Sequence, residues 1–421
     1  MPGIRRGRRA AVAIALTAAA AVALTACSGS PSGSSSSSAG SLDLKIGTIL
    51  PQTGTLAVLG PPEITGVNLA VSDINKANAG IKVSAIQKDS GDTSTNIATQ
   101  SVTSLLSSGV GAIIGAASSS VSLTVIDQIS KAKVVQFSPA NTSPAFTTYK
   151  DNGYYFRDAP SDVLQGRVLG QAVLKQGAIN VAVLYQNDSY GQGLNDSVKA
   201  ALTSGGGQVV SDVSFDPAAT NFSSEVSKSL ASKPDAFIVI SFDQIKSISQ
   251  EIDKAGFSFS KVWGTDGNYG VITPDFKNVD IAGAQFTNPG VVATSDFKDR
   301  MQTQAKADGL KPLTVFSYGP ESYDATVSIA LASLVGGKTD GTTIRDNLSQ
   351  VTSGGTKCKS FAECAKLVKD GTKNIDYDGI SGPISLDKNG DPAQAYVSIY
   401  KYSKGNESSA VGSEFGDLTK N

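Results

Sequence analysis

The 421-residue chain contains no histidine. That absence removes the Ser-His-Asp and Cys-His arrangements in which imidazole activates a nucleophile. It also leaves any metal site without its commonest nitrogen ligand. Cysteine is nearly as scarce, with three residues at Cys27, Cys358 and Cys364. No G-x-S-x-G element is present to form a nucleophile elbow. Charged residues make up 17% of the chain and are balanced, 36 basic against 37 acidic. Nothing in that balance points to nucleic acid or an anionic surface as a partner. Only one long apolar run occurs, and it lies at the N-terminus.

Arg5, Arg6, Arg8 and Arg9 precede that run of apolar and small residues over 10–26, which ends in Leu24-Thr25-Ala26-Cys27. A positive flank, an apolar stretch shorter than the roughly 20 residues of a membrane span, and a small residue before the cysteine describe an export signal. It resembles the bacterial lipoprotein signal, which implies that Cys27 becomes the lipidated first residue of the mature chain, outside the cytoplasm on the outer face of the cell membrane. The alternative is a plain secretory signal with an incidental cysteine. The arginines lack the rest of a twin-arginine motif and select no export route. Residues 28–41 are almost entirely Ser, Gly, Pro and Ala, a composition that buries nothing and acts as a flexible tether. Without residues 1–26 the chain carries 32 basic and 37 acidic residues. The lipid, rather than a spanning helix, is the expected membrane attachment.

Roughly 380 residues follow, enough for two domains of ordinary size. In an exported chain Cys358 and Cys364 are expected to pair and close a small loop. A two-cysteine metal site is the weaker reading, because no other cysteine and no histidine completes a coordination shell. Strand patterns at 44–50 and 81–86 alternate with helical spacing at Ile64, Val67, Val71 and Ile74 and at Ala98, Val102, Leu105 and Leu106. A second series starts after Pro160: helices near 163–174, 194–202, 222–230 and 245–255, and strands at 181–185, 209–215, 236–240 and 262–263. This alternation predicts an α/β chain of two doubly wound parallel-sheet lobes with right-handed crossovers. From Asp296 the pattern turns helical, over 297–306, 318–335, 344–348 and 361–368, and is expected to complete the first lobe.

Residues 112–144 organise the body. A strand (Ala112, Ile113, Ile114) leads into Gly115-Ala116-Ala117-Ser118-Ser119-Ser120, and a second (Val134, Val135) into Ser138-Pro139-Ala140-Asn141-Thr142-Ser143-Pro144. In open parallel sheets ligands bind beyond the carboxyl ends of strands, where free N–H groups and a helix N-terminus meet an anion. Ser119 and Thr142 therefore read as a carboxylate clamp, the alternative being plain helix caps.

Six motifs in order carry a family resemblance: 47–50 with Thr53-Gly54; 115–120; 138–144; Tyr190-Gly191-Gln192-Gly193; Trp263-Gly264-Thr265-Asp266-Gly267; and Gly379-Ile380-Ser381-Gly382-Pro383. Over about residues 43–402 the chain resembles the leucine/isoleucine/valine-binding proteins of bacterial ABC importers. The resemblance implies a type I periplasmic-binding fold, two lobes joined by three hinge crossings that close on a solute. The boundaries expected are a signal at 1–26, a tether at 27–42, lobe 1 at 43–160 with 290–372, lobe 2 at 161–289 with 373–403, and a polar tail at 404–421. Crossings near Pro160 and Asn288 would absorb the closing rotation. By position, Ser119 and Thr142 match the groups that hold a ligand α-carboxylate, Ala140 the carbonyl offered to the α-ammonium, and Asp266 an acid reaching that ammonium from the second lobe. Tyr190, Phe242 and Tyr318 match aromatic positions around the ligand. Where the family often has tryptophan at the pocket edge, this chain has Leu59. Partners implied are a small solute, an amino acid, and an ABC permease with its ATPase; no cofactor, metal, catalytic residue or nucleic acid is expected. A sensor of the same fold for a small amide, aromatic acid or amino acid, signalling to a membrane partner, is the alternative.

Two decoys are set aside. The loose phosphate-loop pattern at 332–339 follows a helical pattern instead of a strand, and Gly336-Gly337 reads as that helix's C-cap. The acidic cluster at 387–391 has its glycine misplaced for an EF-hand, and Asn389-Gly390 reads as a hairpin turn between strands at 384–386 and 396–402.

Overall fold

The computed structural model describes residues 41–418; the export signal and Cys27 lie outside the described residues. Strand β1 (Leu42–Leu50) pairs in parallel with β2 (Ile81–Asp89) across helix α1 (Gly60–Ala77), which opens on Pro61 and Pro62 and ends at Asn78 in the left-handed conformation. Then come α2 (Ile97–Ser107), β3 (Ala112–Gly115), α3 (Ser119–Lys131), β4 (Val135–Ser138) and β5 (Tyr155–Arg157). These five strands form a parallel sheet in the order β2-β1-β3-β4-β5.

The chain then leaves this sheet for α4 (Asp162–Lys175), β6 (Asn180–Gln186), α5 (Ser189–Ser204), β7 (Gln208–Phe215), α6 (Ser223–Leu230), β8 (Ala236–Ile240), α7 (Ile245–Lys254), β9 (Val262–Gly264) and β10 (Gln285–Pro289). It returns as α8 (Ser295–Ala307), α9 (Gly319–Gly336), α10 (Gly341–Thr352), β11 (Thr356–Cys358), α11 (Phe361–Lys369), β12 (Ile375–Gly379) and β13 (Gly382–Pro383). A last passage supplies β14 (Gln394–Tyr402) and β15 (Ser408–Asp417). The second sheet runs β15-β14-β10-β9-β8-β6-β7, with β14 alone running against the other strands. Strands β11, β12 and β13 make a small third sheet. The chain thus passes three times between the five- and seven-stranded sheets, after β5, after β10 and before β14. The fold is the α/β type I periplasmic-binding architecture.

Helices α8, α9 and α10 do complete the first half, since Phe297, Met301, Tyr323, Leu331 and Leu348 share a core with Ile46, Val67 and Phe137. Three expectations are corrected. Residues 373–386 do not belong to the second half: Ile375, Tyr377, Ile384 and Leu386 are buried in the first core, and only from Gln394 does the chain join the seven-stranded sheet. The C-terminal segment is not a loose polar tail, because 408–417 is an edge strand paired along the whole of β14. Its solvent-facing serines and glycines hid the alternation, as most of its residues are exposed. Finally, the Asn389-Gly390 turn closes only a single bridge, Leu386 to Pro392, while β14 pairs with β10 and β15 instead. Proline lacks the donor needed to extend that ladder. Cys358 and Cys364 form a disulfide that ties β11 to α11. Among the described residues no helix is long and apolar enough to cross a membrane.

Candidate functional site

Both clusters of small hydroxyl residues lie beyond strand ends of the first sheet, and hydrogen bonds fix them to each other. Ser138 Oγ donates to the Ala116 carbonyl at 2.7 Å and accepts from the Asn141 backbone N–H at 3.0 Å. The Asn141 amide donates to the Ala116 and Ala117 carbonyls at 3.0 and 2.7 Å. Ser119, the first residue of α3, accepts from the Ser143 N–H at 3.3 Å. Below them the buried Arg157 guanidinium grips Asp391 through Nε and Nη2, at 2.7 and 2.9 Å, and donates to the Asn141 and Ser143 carbonyls at 3.2 and 2.8 Å. A bidentate, fully desolvated pair of this kind sets loop position as well as adding stability.

The opposing wall comes from the second sheet. After β9 the chain turns through Thr265-Asp266-Gly267, and Gly267 lies so close to Phe242 that a Cβ there would sit 2.8 Å from its ring. Tyr190, on the first turn of α5, stacks on Phe242 with centroids 5.4 Å apart. Its neighbour Gly191 permits that tight start, since a Cβ at Gly191 would lie 2.0 Å from the Gln186 carbonyl. Asp266 collects three donors: the Tyr190 hydroxyl at 2.7 Å and the Gln165 amide at 2.8 Å on Oδ1, and the Tyr318 hydroxyl at 2.6 Å on Oδ2. Tyr318 caps α9 with φ at 60°, a conformation non-glycine residues hold only when their surroundings impose it. Burial raises the Asp266 carboxyl above the ordinary range, and its tyrosine and glutamine donors pull it back. Burial first, and then the Asp266 charge, push the Tyr190 and Tyr318 hydroxyls well up.

Between these walls lies a cavity lined by Leu56, Leu59, Ala117, Ser118, Ser119 and Ala140 from the first sheet's side, Tyr190, Phe242, Asp266 and Gly267 from the second, and Tyr318. The centre of a water molecule can occupy only about 10 Å³ of it, space for roughly one water. Leu56, Leu59, Ala117 and Ala140 pack in one apolar cluster with Tyr190, Phe242 and Tyr318, so the cleft is closed. Hydrogen bonds cross it directly: Ser120 Oγ to Asp188 at 3.1 Å, the Ser189 N–H to Ser120 Oγ at 3.1 Å, and Ser143 Oγ with Ser189 Oγ at 2.9 Å. A larger cavity of about 350 Å³ lies on the far side of Tyr318, beside Asn288, Glu321 and Tyr400, but Ser119 and Asp266 do not line it.

Of the residues singled out in the sequence, Leu59, Ser119, Ala140, Tyr190, Phe242, Asp266 and Tyr318 line this one cavity. Thr142 does not: its hydroxyl is buried against the Asp162 carboxylate, and its carbonyl accepts from the Asp162 N–H at 2.7 Å. Sequence reasoning missed Leu56, Gln165, Thr265 and Asp162. Asp162 and Gln165 lie three apart on one face of α4.

A family model described as periplasmic binding protein matches residues 43–407. An uncharacterized protein of Methanocaldococcus jannaschii is 25% identical, over 77% of this chain and 83% of its own. Leu/Ile/Val-binding protein homolog 3 of Brucella melitensis is 32% identical over 45% of this chain and 52% of its own. Among solved structures, the branched-chain amino acid transporter substrate binding protein LivJ of Streptococcus pneumoniae, in complex with isoleucine, superposes with a TM-score of 0.70 at 22% identity, over 89% of this chain and 99% of its own. A solute binding protein of an ABC transporter from R. palustris, in complex with 4-hydroxybenzoate, gives 0.71 at 18% identity, over 89% and 98%.

Proposed function

This chain belongs to the periplasmic binding protein family, and we propose that it captures an amino acid, branched-chain or similarly apolar, between two closing lobes and delivers it to an ABC permease. One observation carries the reading: Ser119 from the five-stranded sheet and Asp266 from the seven-stranded sheet face a single apolar-walled cavity. A zwitterion needs donors at one end and acceptors at the other, each paired, because a buried unpaired charge is costly. Ser119, with the Thr142 loop behind it, holds the carboxylate, and the Ala140 carbonyl and Asp266 hold the ammonium. Asp266 has room for it, since its three donors use three of about four acceptor positions on a carboxylate. Leu59, Tyr190, Phe242 and Tyr318 surround the side chain. In the closed cleft only about one water's space remains, so the lobes part to admit a solute. Cys27 carries the lipid that keeps the protein at the outer face of the membrane, and no covalent chemistry is asked of the site.

The alternative of a sensor for an aromatic acid draws on the stacked Tyr190–Phe242 wall. Asp266 weighs against a plain aromatic acid, because an acid with neither an amino nor a hydroxyl group offers that carboxylate no donor. A thermal-shift screen against all amino acids and small aromatic carboxylates separates the two, since a solute that binds only the native state raises its melting temperature. Apolar amino acids should stabilise the protein and benzoate should not; the reverse result would overturn the assignment.

A further inference from the structure

We propose that Asp162 and Asp266 form one acidic pair that holds a proton in the solute-free site and gives it up when a solute ammonium arrives, which makes Asp162 a specificity-determining residue. The inference rests on the reading of the cavity as an amino-acid site and adds a residue and a proton to it.

Asp162 begins α4 directly after the first crossing between the sheets. Its side chain is wholly buried, with the Thr142 hydroxyl as a neutral partner for its carboxylate. Its backbone N–H reaches back to the Thr142 carbonyl, joining it to the loop assigned to the solute's carboxylate end. One turn along the same helix face, Gln165 donates to Asp266 at 2.8 Å and to Thr287 Oγ1 at 3.0 Å. Asp162 thus lies at the junction of the Thr142 and Asp266 loops, behind the cavity wall.

The charges around it do not cancel. Facing Asp162 are Asp266, Arg157 from β5 and Asp188 at the start of α5, with the Tyr190 hydroxyl close to both acids; the Tyr318 hydroxyl is on Asp266. Arg157 is the one cation among these groups, and it is already held by both oxygens of Asp391 and by two carbonyls. Asp188 has its own donors in Ser120, Gln186 and the Gly191 N–H. No lysine or arginine is among the residues lining the cavity. Asp162 and Asp266 are left without a cation of their own, and the positive end of α4 offsets only part of the burial of a bare carboxylate. Burial first and the neighbouring Asp266 charge second drive the Asp162 carboxyl well above its ordinary range. Two acids so placed titrate as a pair, and one proton is held above the ordinary carboxylate range.

A solute ammonium supplies the missing positive charge, so binding expels the proton to solvent. By linkage, a reaction that releases a proton strengthens as pH rises, until the free pair has lost that proton on its own. Asp162 thereby favours solutes with an amino group over acids without one.

Calorimetry tests this with the whole protein, using leucine, isoleucine, valine and the remaining proteinogenic amino acids as probes at pH near 6.5 in phosphate and in imidazole. The heat should differ between buffers by a released fraction of a proton, and affinity should climb with pH. Asp162→Asn should still bind, with the buffer difference and the pH slope largely gone, and Asp162→Glu should restore both. Buffer-independent heats in the wild type, or an undiminished release in Asp162→Asn, would overturn the proposal and leave the amino-acid reading standing. If the asparagine variant fails to fold, the wild-type buffer comparison decides alone. Binding of none of the amino acids would overturn both.

Discussion

At Asp266 three donors from three elements converge on a single carboxylate: Gln165 of α4, Tyr190 of α5 and Tyr318 at the cap of α9. Replacing this acid by asparagine keeps the size and removes the charge proposed to meet the ammonium. Losing one partner of a buried charged contact costs about 2 to 5 kcal/mol, so Asp266→Asn should weaken amino-acid affinity roughly thirtyfold to several thousandfold by calorimetry. Tyr318→Phe removes one donor and leaves the ring, and should cost less, about 1.5 to 3 kcal/mol. Asp266 and Ser119 were legible because strand-end loops rich in glycine and hydroxyl residues announce themselves along the chain. Asp162 and Gln165 were not, because their importance comes from what a neighbouring loop places against them, which helix periodicity does not encode. Thr142 lies between these cases: its loop was recognised, yet the closed cleft leaves its hydroxyl outside the cavity lining.

Elements were legible in proportion to their length and regularity. Helices and strands of the two α/β series follow their apolar periods, whereas β5, with three residues, and the exposed β15 show no comparable signal. β15 also shows that an element can matter without burying much of itself. It pairs along all of β14, Phe415 packs on Tyr396 with ring centroids 5.0 Å apart, and Gly416 presses on Leu164. Truncation after Tyr402 should therefore lower the melting temperature by several degrees, as expected for a loss of about 1 to 3 kcal/mol in a protein of this size. An unchanged melting curve would return the segment to the status of a tail. Arg157 and Asp391 tie β5 to the turn that precedes β14, both buried and both satisfied. Asp391→Ala strands the guanidinium, and about 3 to 5 kcal/mol of stability should be lost in denaturant titration. Pairing of residues so distant in sequence is what a single chain read in order conceals.

Across the whole molecule the crossings meet a set of buried acids. Asp158 stands at the first and Glu321 presses on Gly290 at the second, with Glu63 of α1 beside Glu321, while Asp324 of α9 accepts from Tyr377, Ile380 and Ser381 in the first half. Burial pushes Glu321 up to about 8, from 4.5. Burial and the charge of Glu321 raise Glu63 and Asp158 still more clearly. Above pH 4.5 the unfolded chain gives up these protons while the folded protein keeps them, so stability falls as pH rises toward 8. Calorimetric melting from pH 5 to pH 8 should show that decline, and Glu321→Gln should flatten it; a melting temperature that rises over this range would exclude neutral acids at the hinge. The same crossings are where the lobes would turn. A solute can shift the open–closed balance only by its differential affinity for the two states, and a swing from about 1:99 to 99:1 needs roughly 5.5 kcal/mol of it. Small-angle scattering of the protein with and without a bound amino acid tests the central claim most directly. The radius of gyration should shrink at saturation, and the change should vanish in Asp266→Asn at the same solute concentration; an unchanged radius with the amino acid shown to be bound would mean that the site lies within one lobe.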